Sequence, residues 1–194
     1  MPGVIFSRII SGGQTGVNRA ALDVAIEFGI PCGGWCPRGR MAEDGPIDPK
    51  YPLRETKSQE YQFRTEANVI EAEGTLILTM GKLPEGAAYA AKAALRHRKP
   101  HLIIDLNKKI KPDAILKWAA AHKIRVVNIA GPKESRKPGI YEKTRQFLHT
   151  VLAGGGKRGK TGAGRIGPAG PADLRPPRAA WSGLKTEEKR IKKL

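Results

Sequence analysis

The run GTLILT, residues 74–79, constrains the fold more than any other stretch of the sequence. It carries no charge and does not alternate, which is the pattern of a strand buried on both faces. Such a strand calls for a parallel sheet with helices on either side. The neighbouring sequence supplies both. RIIS at residues 8–11, CGGWC at 32–36, HLIIDL at 101–106 and RVVNIAG at 125–131 read as further strands, with helical stretches between them. Val17, Ala20, Ala21, Val24, Ala25 and Phe28 recur at the spacing of one helical face, which Gly29 ends. AAYAAKAALRHR is an alanine-rich helix stopped by Lys99 and Pro100, and Pro112 opens PDAILKWAAAHK. GIYEKTRQFLHTVL closes the series, with Tyr141, Thr144, Leu148, Val151 and Leu152 on one face. The expected fold is α/β, a Rossmann-like three-layer arrangement around a central, mainly parallel sheet.

The formal net charge of +17 is unevenly spread: +9 falls on residues 1–153 and +8 on residues 154–194. The latter stretch is rich in Gly and Pro and poor in large apolar residues, so it cannot bury enough surface to offset its ordering entropy. The expected organisation is a ligand-binding domain over residues 1–153 and a basic, disordered C-terminal tail over residues 154–194, capable of nonspecific contact with nucleic acid. Few aromatic side chains accompany those charges, which argues against a dedicated base-stacking surface. No apolar run approaches the roughly 18 residues of a bilayer span, and the N-terminal stretch does not read as a secretory signal. No membrane partner is expected, and the location expected is cytoplasmic. Cys32 and Cys36, too far apart in an extended PCGGWCP to bridge, read as two reduced thiols. One C-x3-C pair without further ligands leaves a tetrahedral site half empty, so no protein-bound metal is expected.

The stretch SGGQTGVNRAALDVA, residues 11–25, joins the first strand to the first helix through three glycines. The leading amides of a helix have no internal partners, and the peptide dipoles place about half a positive charge there. Phosphate suits that position. Gly12, Gly13 and Gly16 let the backbone approach a ligand, Gln14, Thr15 and Asn18 add neutral hydrogen bonds, and Arg19 adds a cation. The pattern is neither a Walker loop nor G-x-G-x-x-G. Further on, CPRGRMAEDGPIDPKYPLRET brings Arg38, Arg40, Glu43 and Asp44 in a stretch too full of Gly and Pro for regular structure. Glu43 and Asp44 read equally as ligand contacts or as partners of Arg38 and Arg40. Arg64 and Asn68 share a helical face just before the buried strand, and MGKLPEGAAYA after it forms a second glycine-containing turn, with Gly81 and Gly86. Both turns follow strands at their carboxyl ends, where open α/β sheets bind ligands.

SGGQTGVNRAALDVA, GWCPRGRMAEDGPI, YPLRET, RTEANV, GTLIL and NIAGPKESRKPGIY, in that order over residues 8–152, closely resemble the molybdenum cofactor carrier proteins. That family is a branch of the Rossmann-like superfamily that also holds the lysine-decarboxylase-like proteins. The resemblance implies binding of a pterin phosphate (molybdenum cofactor, molybdopterin) or a nucleotide-like ligand at residues 12–16, with residues 81–86 opposite, and self-association into a homo-oligomer. The chain departs from the family at Asn18, where Asp is usual, at residues 71–73, where an Asp-Ser-Asp run is usual, and at residues 84–87, where a Gly-Gly-Thr turn is usual. The P-G-G-x-G-T-x-x-E string of the phosphoribohydrolase relatives is absent.

An enzyme needs a group poised to move a proton or attack. Ser11 and His97 show no nucleophile signature, and Asp23 lies away from the apolar stripe, where it reads as a solvated carboxylate. The function expected is that of a binding protein for a phosphate-bearing cofactor or nucleotide-like ligand, with Arg19, Arg38, Arg40 and Arg64 supplying charge-assisted bonds. The alternative is a hydrolase of nucleotides or nucleotide-derived ligands.

Overall fold

A computed structural model describes residues 6–109 and 111–154. Six strands pair in parallel throughout: β1 (Arg8–Ile10), β2 (Cys32–Cys36), β5 (Leu53–Glu55), β6 (Gly74–Thr79), β7 (His101–Asp105) and β8 (Val126–Ala130). Their order across the sheet is β5-β2-β1-β8-β6-β7. β8, the last to arrive along the chain, lies between β1 and β6, with Ile9 opposite Val127 on one side and Leu76 opposite Ile129 on the other. β3 (Met41–Ala42) and β4 (Gly45–Pro46) form a separate antiparallel hairpin.

Alternation along the strands sets the three layers. Leu76 and Leu78 of β6 share one core cluster with Val127 and Ile129 of β8. The helices that cover it are α1 (Val17–Glu27), α4 (Asp113–Ala121) and α5 (Ile140–Gly154), through Val17, Ala21, Val24, Ile115, Leu148 and Val151. Ile77 and Ala130 face the other way, onto Ala87, Ala90 and Ala91 of α3 (Glu85–Arg96). Val69 of α2 (Tyr61–Glu71) packs with Ala93 and Ala94 on the same side. Alanines on the buried face let α3 lie close to both the sheet and its neighbour. Every residue of β6 is buried, as a strand covered on both faces must be.

Departures from the expected elements are local. Phe28 does not continue the buried face of α1: it caps the helix, is 39% exposed and meets His149 edge to face. Gly29, at φ 65°, then turns the chain back. The Gly/Pro-rich stretch after β2 holds more regular structure than its composition indicates, namely the β3–β4 hairpin and β5, which pairs with β2 from Gly34 to Cys36. Both thiols are free; Cys32 is half-buried and Cys36 buried. No helix among the described residues is long and apolar enough to cross a membrane. The basic tail expected over residues 154–194 lies outside the described residues apart from Gly154, where α5 ends.

α1 leaves β1 for one face of the sheet, and α3 leaves β6 for the other. The loops after β1, β6 and β8 therefore diverge around a crevice at the carboxyl ends of the strands, the position where sheets of this kind hold ligands.

Candidate functional site

The loop after β1 is fastened to its neighbours by backbone contacts. Ser11 donates its hydroxyl to the Ile129 carbonyl at 2.8 Å and its N–H to the Gly33 carbonyl at 2.9 Å. Gly16, at φ 68°, is the N-cap of α1. A Cβ there would come within 2.6 Å of the Pro132 oxygen and 2.8 Å of the Glu134 nitrogen, so only glycine lets the loop after β8 pass. That loop also answers one leading amide of α1, since Val17 donates to the Pro132 oxygen at 3.2 Å. Gly12 has a different neighbour: a Cβ there would lie 1.8 Å from Nη1 of Arg64. The Arg64 guanidinium is thus laid against the bare backbone of the glycine loop.

Arg64 reaches this place from the first turn of α2. Its Nη1 donates to Asn18 Oδ1 at 2.9 Å, while Asn18 Nδ2 donates to the Ile129 carbonyl at 3.3 Å and fixes the amide orientation. Its Nε is sealed from solvent and has no partner among the described residues. No carboxylate among them lies within ion-pair distance of it, although Glu71, Glu66 and Glu43 each hold other cations. Burial lowers the Arg64 pKa to about 10, against the opposing influence of Cys36 and Tyr61, so the side chain stays charged at neutral pH. A buried charge is costly unless it is paired or solvated by strong hydrogen bonds. One neutral amide is little compensation.

Beside Arg64 opens a cavity of about 710 Å³. Gln14 and Arg64 line it together with residues 82–87 after β6 and residues 131–133, 136 and 137 after β8. A recess of about 20 Å³ continues beneath, bounded by Asn18, Arg64, Asn68, Gly86 and Asn128. Of the residues expected to bind ligand, Gln14, Arg64 and Gly86 line the cavity directly. Asn68 lies at its base with both ends of its amide on the backbone of β2, accepting from Trp35 N–H at 2.7 Å and donating to the Trp35 carbonyl at 3.0 Å. Gly81 sits at the start of the second turn, its N–H on Asp105 Oδ1 at 2.9 Å. That bond and the amide of Asn107 hold the Asp105 carboxyl below its ordinary range.

Thr15, Arg19 and Arg40 are engaged elsewhere, at the strap formed by the β3–β4 hairpin. Gln14 Oε1 accepts the N–H groups of Thr15 and Glu43 at 3.0 and 2.9 Å. Glu43 accepts the hydroxyls of Thr15 and Ser135, the Ser135 N–H at 3.1 Å and Lys133 Nζ at 2.9 Å. Desolvation pushes the Glu43 carboxyl up, but the bonds from Ser135, Thr15 and Lys133 prevail and hold it at about 2. Arg19 forks onto Asp44 at 3.1 and 3.2 Å and donates Nε to the Gly13 carbonyl at 3.1 Å. Arg40, at φ 53°, gives its guanidinium to the carbonyls of Ile47, Asp48, Tyr51 and Leu53. Arg38 is exposed. Glu43 and Asp44 therefore pair with Lys133 and Arg19, not with Arg38 and Arg40.

The solvated role expected of Asp23 is also replaced. Its carboxylate accepts the phenols of Tyr51 at 2.7 Å and Tyr141 at 2.9 Å, and desolvation together with Asp23 pushes Tyr141 up to about 12. The start of α1 is partly occupied: Glu43 closes its Thr15 side, while Gln14 lines the cavity. The cavity also takes in the loop after β8, with Lys133, Arg136 and Lys137, where no ligand-binding residue is expected, and from the second turn it takes Lys82 as well as Gly86. NIAGPKESRKPGIY carried a local signal for the loop after β8, a glycine followed by clustered cations after a strand.

Among the described residues there is no group of three or more His, Cys, Asp or Glu side chains able to hold a metal ion. Desolvation raises both thiols, which keeps them protonated at neutral pH.

Residues 9–152 match the Circularly permutated YpsA SLOG family. Among solved structures, the chain is similar to the "Putative molybdenum carrier protein" from Syntrophus aciditrophicus SB, with 45% identity and a TM-score of 0.74, covering 76% of this chain and 96% of that one. The E-1-hydroxy-2-methyl-but-2-enyl-4-diphosphate reductase from Plasmodium falciparum, at 11% identity and a TM-score of 0.34 over 94% of this chain and 64% of that one, is too remote to bear on fold or function. A search among curated proteins finds none that matches.

Proposed function

The chain belongs to the circularly permutated YpsA SLOG family, and on that premise we propose that its central cavity binds a small phosphate-bearing ligand, a molybdenum cofactor or a nucleotide-like compound, as a carrier. One observation supports this above the others: Arg64 is a largely buried cation whose only hydrogen-bond partner among the described residues is a neutral amide. An oxyanion in the cavity against Arg64 supplies the missing countercharge and accepts from the guanidinium. A solved structure 45% identical to this chain bears a molybdenum carrier's name, which accords with a phosphate-bearing cofactor as cargo. Residues able to hold such a phosphate are Arg64 and Gln14; among the described residues no group of three or more His, Cys, Asp or Glu side chains stands ready to hold a metal ion.

The test removes that cation. Arg64→Met leaves the cavity floor without its guanidinium and without the 2.9 Å bond to Asn18 Oδ1. By calorimetry and by mass spectrometry of small molecules that accompany the purified protein, the variant is expected to lose about tenfold or more in affinity for molybdenum cofactor or nucleotides. Affinity equal to that of the unaltered protein would remove Arg64 as the seat of the anion.

A further inference from the structure

The floor of the cavity accounts for one anion, yet the rim carries more charge than one anion balances. Lys82 lines the cavity from the loop after β6, and Lys133, Arg136 and Lys137 line it from the loop after β8. Against these four and Arg64 stands a single acid in the lining, Glu85. Lys133 is answered by Glu43 from the strap. Lys82, Arg136 and Lys137 form no ion pair among the described residues, so like charges converge on one concavity with little internal relief. Such an arrangement is destabilising by self-repulsion and raises the local concentration of anions. The volume, about 710 Å³, lies within the ~300–1,000 Å³ of sites for drug-sized ligands and far exceeds the room taken by one inorganic phosphate.

Resting on the anion-binding role of Arg64 given above, we propose that the cavity selects ligands bearing two or more linked phosphates, the first against Arg64 and the next against Lys82, Arg136 and Lys137. The two sets of cations differ in kind. Arg64 is fixed between Gly12 and Asn18 and offers donors in a set direction, whereas the rim presents two ammonium groups on long stems and one planar fork, which can meet a second group from several directions. A monophosphate engages the first set alone. A diphosphate or longer chain engages both.

Calorimetry on the full-length protein at fixed ionic strength, with orthophosphate, pyrophosphate and tripolyphosphate as probes, decides the matter. The unaltered protein is expected to bind pyrophosphate about tenfold or more tightly than orthophosphate, and tripolyphosphate at least as tightly as pyrophosphate. A triple variant, Lys82→Ala with Arg136→Ala and Lys137→Ala, is expected to lose that preference while keeping orthophosphate affinity within about threefold. Its far-ultraviolet dichroism and melting temperature serve as the check on folding. Equal affinity of the unaltered protein for orthophosphate and pyrophosphate overturns the proposal. So does a preference retained in the folded triple variant, which would locate the extra cations elsewhere in the chain. Arg64→Met separates the two levels: it is expected to weaken all three probes, and orthophosphate binding left intact in that variant removes the anion-binding role on which the proposal stands.

Discussion

Arg40 under the strap and Arg64 on the floor of the cavity are the same residue in opposite circumstances. Arg40 gives every arm of its guanidinium to main-chain oxygens, four of them between Ile47 and Leu53, and so holds a short, Gly- and Pro-rich segment against β2. Arg64 is tucked under bare backbone with a single amide for company and one nitrogen left without a partner. Around Arg40, Arg19 and Glu43 the charges are mutually answered, which is what architecture requires. Around Arg64, Lys82, Arg136 and Lys137 they are not, which is what a site for a charged visitor requires. Charge alone does not tell the two apart; its partners do.

Replacing both arginines by the same apolar residue gives the sharpest break between the two regions, because the effects have opposite sign. Arg40→Met strands four carbonyls and is expected to lower unfolding stability by about 3 kcal/mol in urea titrations, with Arg40→Lys restoring little because an ammonium cannot span the fork. Arg64→Met removes a buried, poorly compensated charge and is expected to raise stability in ligand-free buffer by about 1–2 kcal/mol, read as a higher melting temperature, while ligand affinity falls. A lower melting temperature for Arg64→Met would show that the floor is internally balanced after all.

The smallest effect belongs to the latch. Glu43→Gln is expected to cost about 1 kcal/mol at neutral pH, since the pairings lie near the surface. Its pH signature is more telling. The Glu43 carboxyl sits at about 2 in the folded chain against an ordinary 4.5, so its contribution is complete above the ordinary value and fades as pH falls toward 2. The difference in melting temperature between the unaltered chain and Glu43→Gln should therefore shrink on acidification from pH 5 to pH 2. A constant difference across that window would show that the hairpin is held by its other contacts.

Much of the fold is readable from the sequence where the signal is local. The fully apolar GTLILT, the helical face of Val17 to Ala25 and the glycine turn between β1 and α1 each report on their own neighbourhood. β5 does not, because a three-residue strand takes its form from β2 and the Arg40 clamp, and the β3–β4 hairpin, though local, has strands of two residues, too short to show an alternation. The site divides in the same way. Gln14, Arg64 and Gly86 stand out through local spacing, but nothing near Arg19 or Arg40 tells that their guanidinium groups are engaged by Asp44 and by main-chain oxygens. The loop after β8 enters the cavity only because β8 is inserted between β1 and β6, and that insertion is a property of the whole topology. Phe28 fits the helical spacing yet lies at the cap, where the helix has already begun to turn away from the sheet.

The central place of β8 also sets a timetable. Until residues 126–130 have left the ribosome, β5-β2-β1 and β6-β7 are two separate half-sheets with no ladder between them, and each presents a bare edge, β1 on one and β6 on the other. Such edges are the surfaces on which nascent chains mispair. Insertion of the last strand closes both at once and in the same event brings the third wall to the crevice, so the cavity is complete only when the sheet is.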